Sequence, residues 1–173
     1  MKKRNIVVPL DGSDFSRRIL CHIRATFDPE TTCLHLIHVA DYPVGHLAVP
    51  TYPASVEYMD VPYFESSRDV IRSNHPIYPA QEEESMLSFL RQQLQADSRS
   101  LQRDGYEVVE AVRFGEASDE IVTYAEGIDA QVIAMTTHGR TGLARLLFGS
   151  VAEQIVGASS IPVMLLRPFA KSD

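Results

Sequence analysis

Val132-Ile133-Ala134-Met135-Thr136-Thr137-His138-Gly139-Arg140-Thr141-Gly142, continuing as Leu143-Ala144-Arg145-Leu146-Leu147-Phe148-Gly149-Ser150-Val151, is the stretch from which the fold is read. A short apolar run, Val132 to Met135, gives way to a glycine-bearing loop, and residues from Val151 to Val156 then take helical spacing and stop at Gly157. An apolar run without alternation is what a strand buried on both faces of a parallel sheet requires.

The same strand-to-helix punctuation recurs on both sides of this stretch. Ile6-Val7-Val8-Pro9-Leu10 reads as a buried strand ending in the turn Asp11-Gly12-Ser13. Ser13 or Asp14 can cap the next helix, whose apolar face is Ile19, Leu20, Ile23 and Phe27 and which stops before Pro29. Cys33 to Ala40 is a second buried strand. Gln81 with the acids Glu82-Glu83-Glu84 suits a helix start, Leu87, Leu90, Leu94 and Leu101 continue at helical spacing, and Gly105 ends the run. Val108 to Phe114 is strand-like; Gly115, a Ser118 cap and a helix with Ile121, Val122, Ala125 and Ile128 follow, and Ile161 to Leu166 is the last strand. Strands alternating with helices predict an α/β fold, a doubly wound five-stranded parallel sheet with helices on both faces. Ligands of such sheets sit beyond the carboxyl ends of the strands at the switch point; Asp11, Ala40 and Thr136 are at such ends.

Residues 1–173 are the length of one domain. Within it, Asp41 to Ala80 interleaves six prolines with tyrosines such as Tyr42, Tyr52 and Tyr58. We read it as a surface insertion without regular structure, whose aromatics favour packing onto something, a protein partner included. A formal charge of −7 argues against a general grip on nucleic acid or anionic lipid, both of which depend on summed Lys and Arg contacts with phosphate. The basic start Met1 to Arg4 precedes an apolar run too short for a signal-peptide core, and no stretch is long enough to span a bilayer. Cys21 and Cys33 are too few for a disulfide scaffold, which points to the cytoplasm, and both read as small core residues.

The loop from Thr136 to Ser150 carries the chemistry. Strand, glycines and helix N-terminus together make an anion site, because glycine lets backbone approach phosphate and unpaired helix amides point at it. Ser150 adds a hydroxyl. There is no Gly-Lys-Ser/Thr and no closely spaced glycine triplet after the first strand; a plain strand-to-helix turn satisfies the same residues. Arg140 and Arg145 suit phosphate, or solvent. His138 has no carboxylate or nucleophile placed beside it by sequence, so a role in shaping the loop is expected rather than catalysis. His35 and His38 are an odd number apart on one strand, face opposite ways and read as packing residues. Glu82, Glu83 and Glu84 read as helix-stabilising acids rather than a metal site.

These motifs resemble the universal stress protein family. Its first strand ends in a Pro-x-Asp-x-Ser type turn, here Pro9-Leu10-Asp11-Gly12-Ser13, and its later Gly-x-x-Gly, nine residues, Gly-Ser/Thr motif is matched in its second half by Gly139, Arg140 to Phe148, and Gly149-Ser150. The likeness covers nearly the whole chain apart from 41–80; Thr136 stands where the motif has glycine. The resemblance implies a flavodoxin-like, or adenine nucleotide alpha hydrolase-like, fold that binds ATP, or ADP or AMP, with Mg2+ carried by the phosphates. It implies a homodimer through Ile161–Leu166. A regulatory, stress-response role with a weak ATPase at most is expected, since the sequence places no convincing base to position water; the alternatives are a slow metal-dependent hydrolase of ATP or a phosphometabolite and a non-nucleotide dimeric interaction protein. Carried over, Asp11 meets the ribose, Val39 the adenine, and Gly139, Gly149 and Ser150 the phosphates. Pro9, Leu10, Met135, Thr136, His138, Arg140, Gly142 and Val151 complete the expected binding set.

Overall fold

The computed structural model describes residues 3–41, 77–137 and 149–167, the side chains of 77–83 excepted. Strand β1 is Arg4–Pro9, followed by α1 (Asp14–Arg17), α2 (Ile19–Thr26) and β2 (Thr32–Ala40). Helix α3 (Ile77–Arg103), β3 (Glu107–Phe114), α4 (Ala117–Gly127), β4 (Val132–Thr136), α5 (Ser150–Ala158) and β5 (Val163–Leu166) complete the order. The chain divides into two compact units, residues 1–41 with 90–173, and residues 42–89; every strand belongs to the first.

All five strands are parallel, in the order β3-β2-β1-β4-β5. The doubly wound class is the one expected, and the winding reverses between β1 and β4, as in the first five strands of a dinucleotide-binding sheet. The central strands are the apolar ones. Ile6, Val7 and Val8 of β1 and Leu34, Leu36 and Ile37 of β2 are all at most 1% exposed, as strands covered on both faces must be.

Alternation along the strands splits the core. Val7, Ile37, Ile133 and Met135 pack with Ile121 and Ala125 of α4 and Ala152 and Ile155 of α5. On the other face lie α1, α2 and the later turns of α3, with Ile19, Ile23, Leu90, Leu94 and Leu101 buried at the spacing read from the sequence. Tyr106, just past α3, donates its hydroxyl to the Phe27 carbonyl at 2.6 Å and closes the end of α2.

Three local expectations are corrected. Helix α3 starts at Ile77, inside the segment expected to lack regular structure, because proline is tolerated in a first helical turn and Pro79 lies there. Glu82, Glu83 and Glu84 are therefore beyond its first turn; residues 42–76 lie outside the described residues. Helix α4 starts at Ala117 with Glu116 as its N-cap residue, so Ser118 is a buried first-turn residue and not the cap. Cys33 is buried, but Cys21 is exposed on the outer face of α2.

Candidate functional site

Because the winding reverses between β1 and β4, the chains leaving these two strands diverge and open a crevice at their carboxyl ends. It is a cavity of about 240 Å³. Its floor is apolar: Ile37 and Val39 of β2, Met135 of β4, Ala117 and Ile121 of α4 and Ala152 of α5. Its rim is polar: Asp11 and Ser16 on one side, Thr136, Thr137, Gly149 and Ser150 on the other. Pro9, Leu10 and Val151 complete the lining.

Nine of the thirteen residues expected from the sequence, Pro9, Leu10, Asp11, Val39, Met135, Thr136, Gly149, Ser150 and Val151, thus meet in one cavity. His138, Gly139, Arg140 and Gly142 lie outside the described residues, as does Arg145. Ser16, Ile37, Ala117, Ile121, Thr137 and Ala152 join them without having been expected. Ile37 had a signal, standing two residues before Val39 on the same face; the helix residues had none, since they arrive by tertiary packing.

The Asp11 side is built by its own turn. Gly12 adopts φ +82°, a conformation open to glycine, and lets the chain double back. Asp11 Oδ1 accepts from the Ser13 amide at 2.9 Å and from the Ser13 hydroxyl at 2.6 Å. The same hydroxyl accepts from the Ser16 amide at 3.0 Å and caps α1, and Ser16 Oγ returns a bond to the Ser13 carbonyl at 2.9 Å. Burial works to raise the Asp11 carboxyl, but the hydrogen bonds from Ser13 and Ser16 outweigh it and hold it below the usual carboxylate value. Asp11 is therefore an ionised acceptor at neutral pH.

The opposite side is a helix start with no side-chain cap. Gly149 is the N-cap residue of α5 and has no side chain to offer the first turn. The intrahelical ladder begins with the Glu153 amide bonding the Gly149 carbonyl at 2.9 Å, so the amides of Ser150, Val151 and Ala152 have no partner within the helix. Thr137 fixes this end: its backbone amide donates to the Leu166 carbonyl at 2.9 Å, and its buried Oγ1 accepts from the Gly149 amide at 3.2 Å. The Gly149 amide is thereby committed to Thr137, and the helix-start amides left without an intrahelical partner are those that follow it. Thr136 ends β4 in register with Leu166 and lines the cavity at the position where the motif has glycine.

The two histidines of β2 are buried on opposite faces. His35 Nδ1 and the Tyr124 hydroxyl lie 2.9 Å apart, and His35 Nε2 is 3.6 Å from Cys33 Sγ. His38 interacts with the Leu10 backbone, and its Nδ1 has no hydrogen-bond partner among the described residues. Burial lowers both rings below the ordinary histidine value, so both are neutral at pH 7. Among the described residues no three histidine, cysteine or acidic side chains are grouped to hold a metal ion, and no helix is long and apolar enough to cross a membrane.

Residues 3–167 match the model of the universal stress protein family. The chain belongs to that family. Universal stress protein MJ0531 of Methanocaldococcus jannaschii is 28% identical over 167 residues, covering 95% of this chain and 82% of that protein. The solved structure of MJ0577 superposes with a TM-score of 0.66 at 21% identity, over 99% of this chain and 100% of that one. A universal stress protein of Archaeoglobus fulgidus solved in complex with dAMP has a TM-score of 0.56 at 20% identity, over 95% and 98% of the two chains. A universal stress protein in complex with cAMP has a TM-score of 0.58 at 17% identity, over 96% and 98%. At these identities the solved structures establish the common fold of universal stress proteins.

Proposed function

We propose that this universal stress protein binds an adenine nucleotide, ATP with its magnesium in the first instance, in the crevice between β1 and β4, and acts as a regulatory nucleotide-binding protein with little or no turnover. The observation that carries the reading is the polarity of one cavity. An apolar floor wide enough for a base lies between an ionised carboxylate and an uncapped helix N-terminus. A nucleotide presents the matching sequence of groups: base on Val39, Ile37 and Met135, ribose hydroxyl donating to Asp11, phosphates on the α5 amides and the Ser150 hydroxyl. Mg2+ keeps most of its waters and a few phosphate oxygens, so it needs no protein cage. The complexes of two structural neighbours with dAMP and cAMP support an adenine nucleotide as the ligand.

The absence of turnover rests on the same residues. Among the described residues lining the cavity the one ionisable side chain is Asp11; it is already bonded by Ser13 and held at low basicity, which makes it a poor general base. The proposal extends to a twofold dimer. Strand β5 is an edge of the sheet and its four residues are all half-buried, while Val156 of α5 is 47% exposed. A bare apolar edge is an aggregation hazard that a second copy would cover. A single domain, the cytoplasm, no nucleic-acid partner and a protein partner for residues 41–80 belong to the same reading.

Calorimetric titration with ATP and Mg2+ tests it, beside Gly149→Val. Gly149 has a φ of −68° and open space where a β-carbon would project, so a valine side chain is sterically accommodated there and is expected to obstruct the phosphate end. Saturable binding by the native chain that the variant loses is the expected result. No binding of ATP, ADP or AMP by the native chain overturns the proposal.

A further inference from the structure

The Asp11 turn is held from outside the cavity as well as from within. Arg17, on α1, lies behind the turn: its Nη1 donates to the Gly12 carbonyl at 2.8 Å and to Asp14 Oδ1 at 3.3 Å. Its Nε donates to Asp97 Oδ2 of α3 at 2.8 Å, and that carboxylate is only 16% exposed. Gln93, one helical turn before Asp97, packs over Gly12 so closely that a β-carbon at position 12 would lie 2.9 Å from Gln93 Oε1. A planar guanidinium with two of its nitrogens engaged has its orientation fixed, which an ammonium point charge cannot reproduce.

A second ion pair between the same layers makes the contrast. Arg24 Nε of α2 donates to Asp104 Oδ2 at 2.7 Å and its Nη2 to Ser100 Oγ at 3.0 Å. It joins α2 to the end of α3 as Arg17 joins α1 to α3, but it bonds no atom of the turn. If such pairs served only to hold helices together, one would not be directed at the carbonyl beside the site carboxylate.

We infer that Arg17 and Asp97 are positioning residues for the nucleotide site: Asp97 aims Arg17 at the Gly12 carbonyl, and that bond sets the peptide between Gly12 and Ser13, whose N–H holds Asp11 Oδ1. The inference rests on the proposed nucleotide site for its functional consequence and on the turn alone for its structural one. Neither residue lines the cavity; both act through the orientation of the Asp11 carboxylate. Separating the carboxylate's support from its ligand contact lets α3 tune affinity without occupying the site.

The experiment compares Asp97→Asn, Arg17→Lys and the control Asp104→Asn by two readouts. The first is titration with ATP and Mg2+. Asp97→Asn and Arg17→Lys are expected to bind about tenfold more weakly, as for loss of one oriented charged hydrogen bond, while Asp104→Asn binds as the native chain does; Asp97→Glu is expected to recover part of the loss. The second, taken without ligand, is hydrogen exchange at the Ser13 amide, which should quicken several-fold in Asp97→Asn and stay unchanged in Asp104→Asn. Native affinity in Asp97→Asn, or equal losses in Asp97→Asn and Asp104→Asn, overturns the inference. If the native chain binds no adenine nucleotide, the proposed function fails on its own, and the Ser13 amide decides the clamp: unchanged exchange in Asp97→Asn overturns it.

Discussion

Ser13→Ala removes one oxygen that serves two partners, and its cost follows from the geometry. Ser13 Oγ accepts from the Ser16 amide at 3.0 Å as the α1 cap, and loss of such a cap costs about 1 kcal/mol. The same oxygen donates to Asp11 Oδ1 at 2.6 Å; bonds to a charged partner contribute roughly 1.5–3 kcal/mol, and the solvent-facing position of Asp11 puts this one at the lower end. Alanine should therefore lose about 2.5 kcal/mol at neutral pH, a fall in Tm of about 5–10 °C for a chain of this size. The pH profile separates the two parts. Asp11 titrates below its ordinary 3.8 in the folded chain, so its contribution is complete above 3.8 and is lost as pH falls through the lower folded value. Without the Ser13 hydroxyl that depression shrinks, and the native and variant stabilities should draw together as pH drops below 3.8. Urea unfolding across this range, in a cycle with Asp11→Ala, measures both the loss and the coupling. A loss under about 0.5 kcal/mol, or a gap between the two proteins that is constant with pH, would refute the reasoning.

Tyr106→Phe leaves the buried Phe27 carbonyl without its 2.6 Å donor and should cost about 1–3 kcal/mol in urea unfolding, with no effect on nucleotide titration. Leu101→Ala opens a void where the side chain is fully buried, with an expected loss of about 2–5 kcal/mol by the same measurement. His35 and His38 both titrate below their unfolded value of 6.5, so stability should be flat above that pH and fall as the unfolded chain takes up protons below it; His38→Gln should make the fall shallower. Thr137→Val removes the acceptor of the Gly149 amide and should weaken ATP binding severalfold while leaving β4 paired, read by calorimetry and circular dichroism.

What the sequence made legible followed from periodicity and local turn chemistry. The strands stand on apolar or strand-like runs, and Asp11-Gly12-Ser13 announces its turn through residue types that bond their own backbone, so β1, its cap and the strand-end position of Asp11 could be read directly. The start of α3 could not, because Pro79 mimics a loop signal and the helix opens without acids in its first turn. Ser118 failed as a cap for a related reason: the backbone of Glu116 already holds the extended conformation a cap residue needs, and Ser118 is drawn into the core just inside the helix. Cys21 was misplaced because a small apolar residue gives no directional signal unless its helix phase is weighed against Ile19, Leu20 and Ile23. Nor did any local pattern mark Arg17 or Asp97, whose partnership spans eighty positions and exists only once α1 and α3 share a face of the sheet.

The two rims of the cavity are prepared for a ligand in different ways, and the difference predicts where binding has its cost. At the Asp11 rim the turn is already tied together: Ser13 bonds Asp11 and Ser16, and Arg17 bonds Gly12. A ligand hydroxyl meeting that carboxylate finds an acceptor whose turn is already ordered. At the α5 rim the described residues tie the helix start by the side-chain bond from the Gly149 amide to Thr137 Oγ1, and its next amides have no partner within the helix. An anion there satisfies donors that the helix itself leaves unmet, so its gain is electrostatic and local. Specificity for the ribose end should therefore survive substitutions around α5, whereas affinity for successive phosphates should track the integrity of the Thr137 bond. Comparing adenosine, AMP and ATP on native chain and Thr137→Val separates the two: adenosine unaffected and ATP weakened supports this division, and equal weakening of all three would place the preparation of both rims in the same residues.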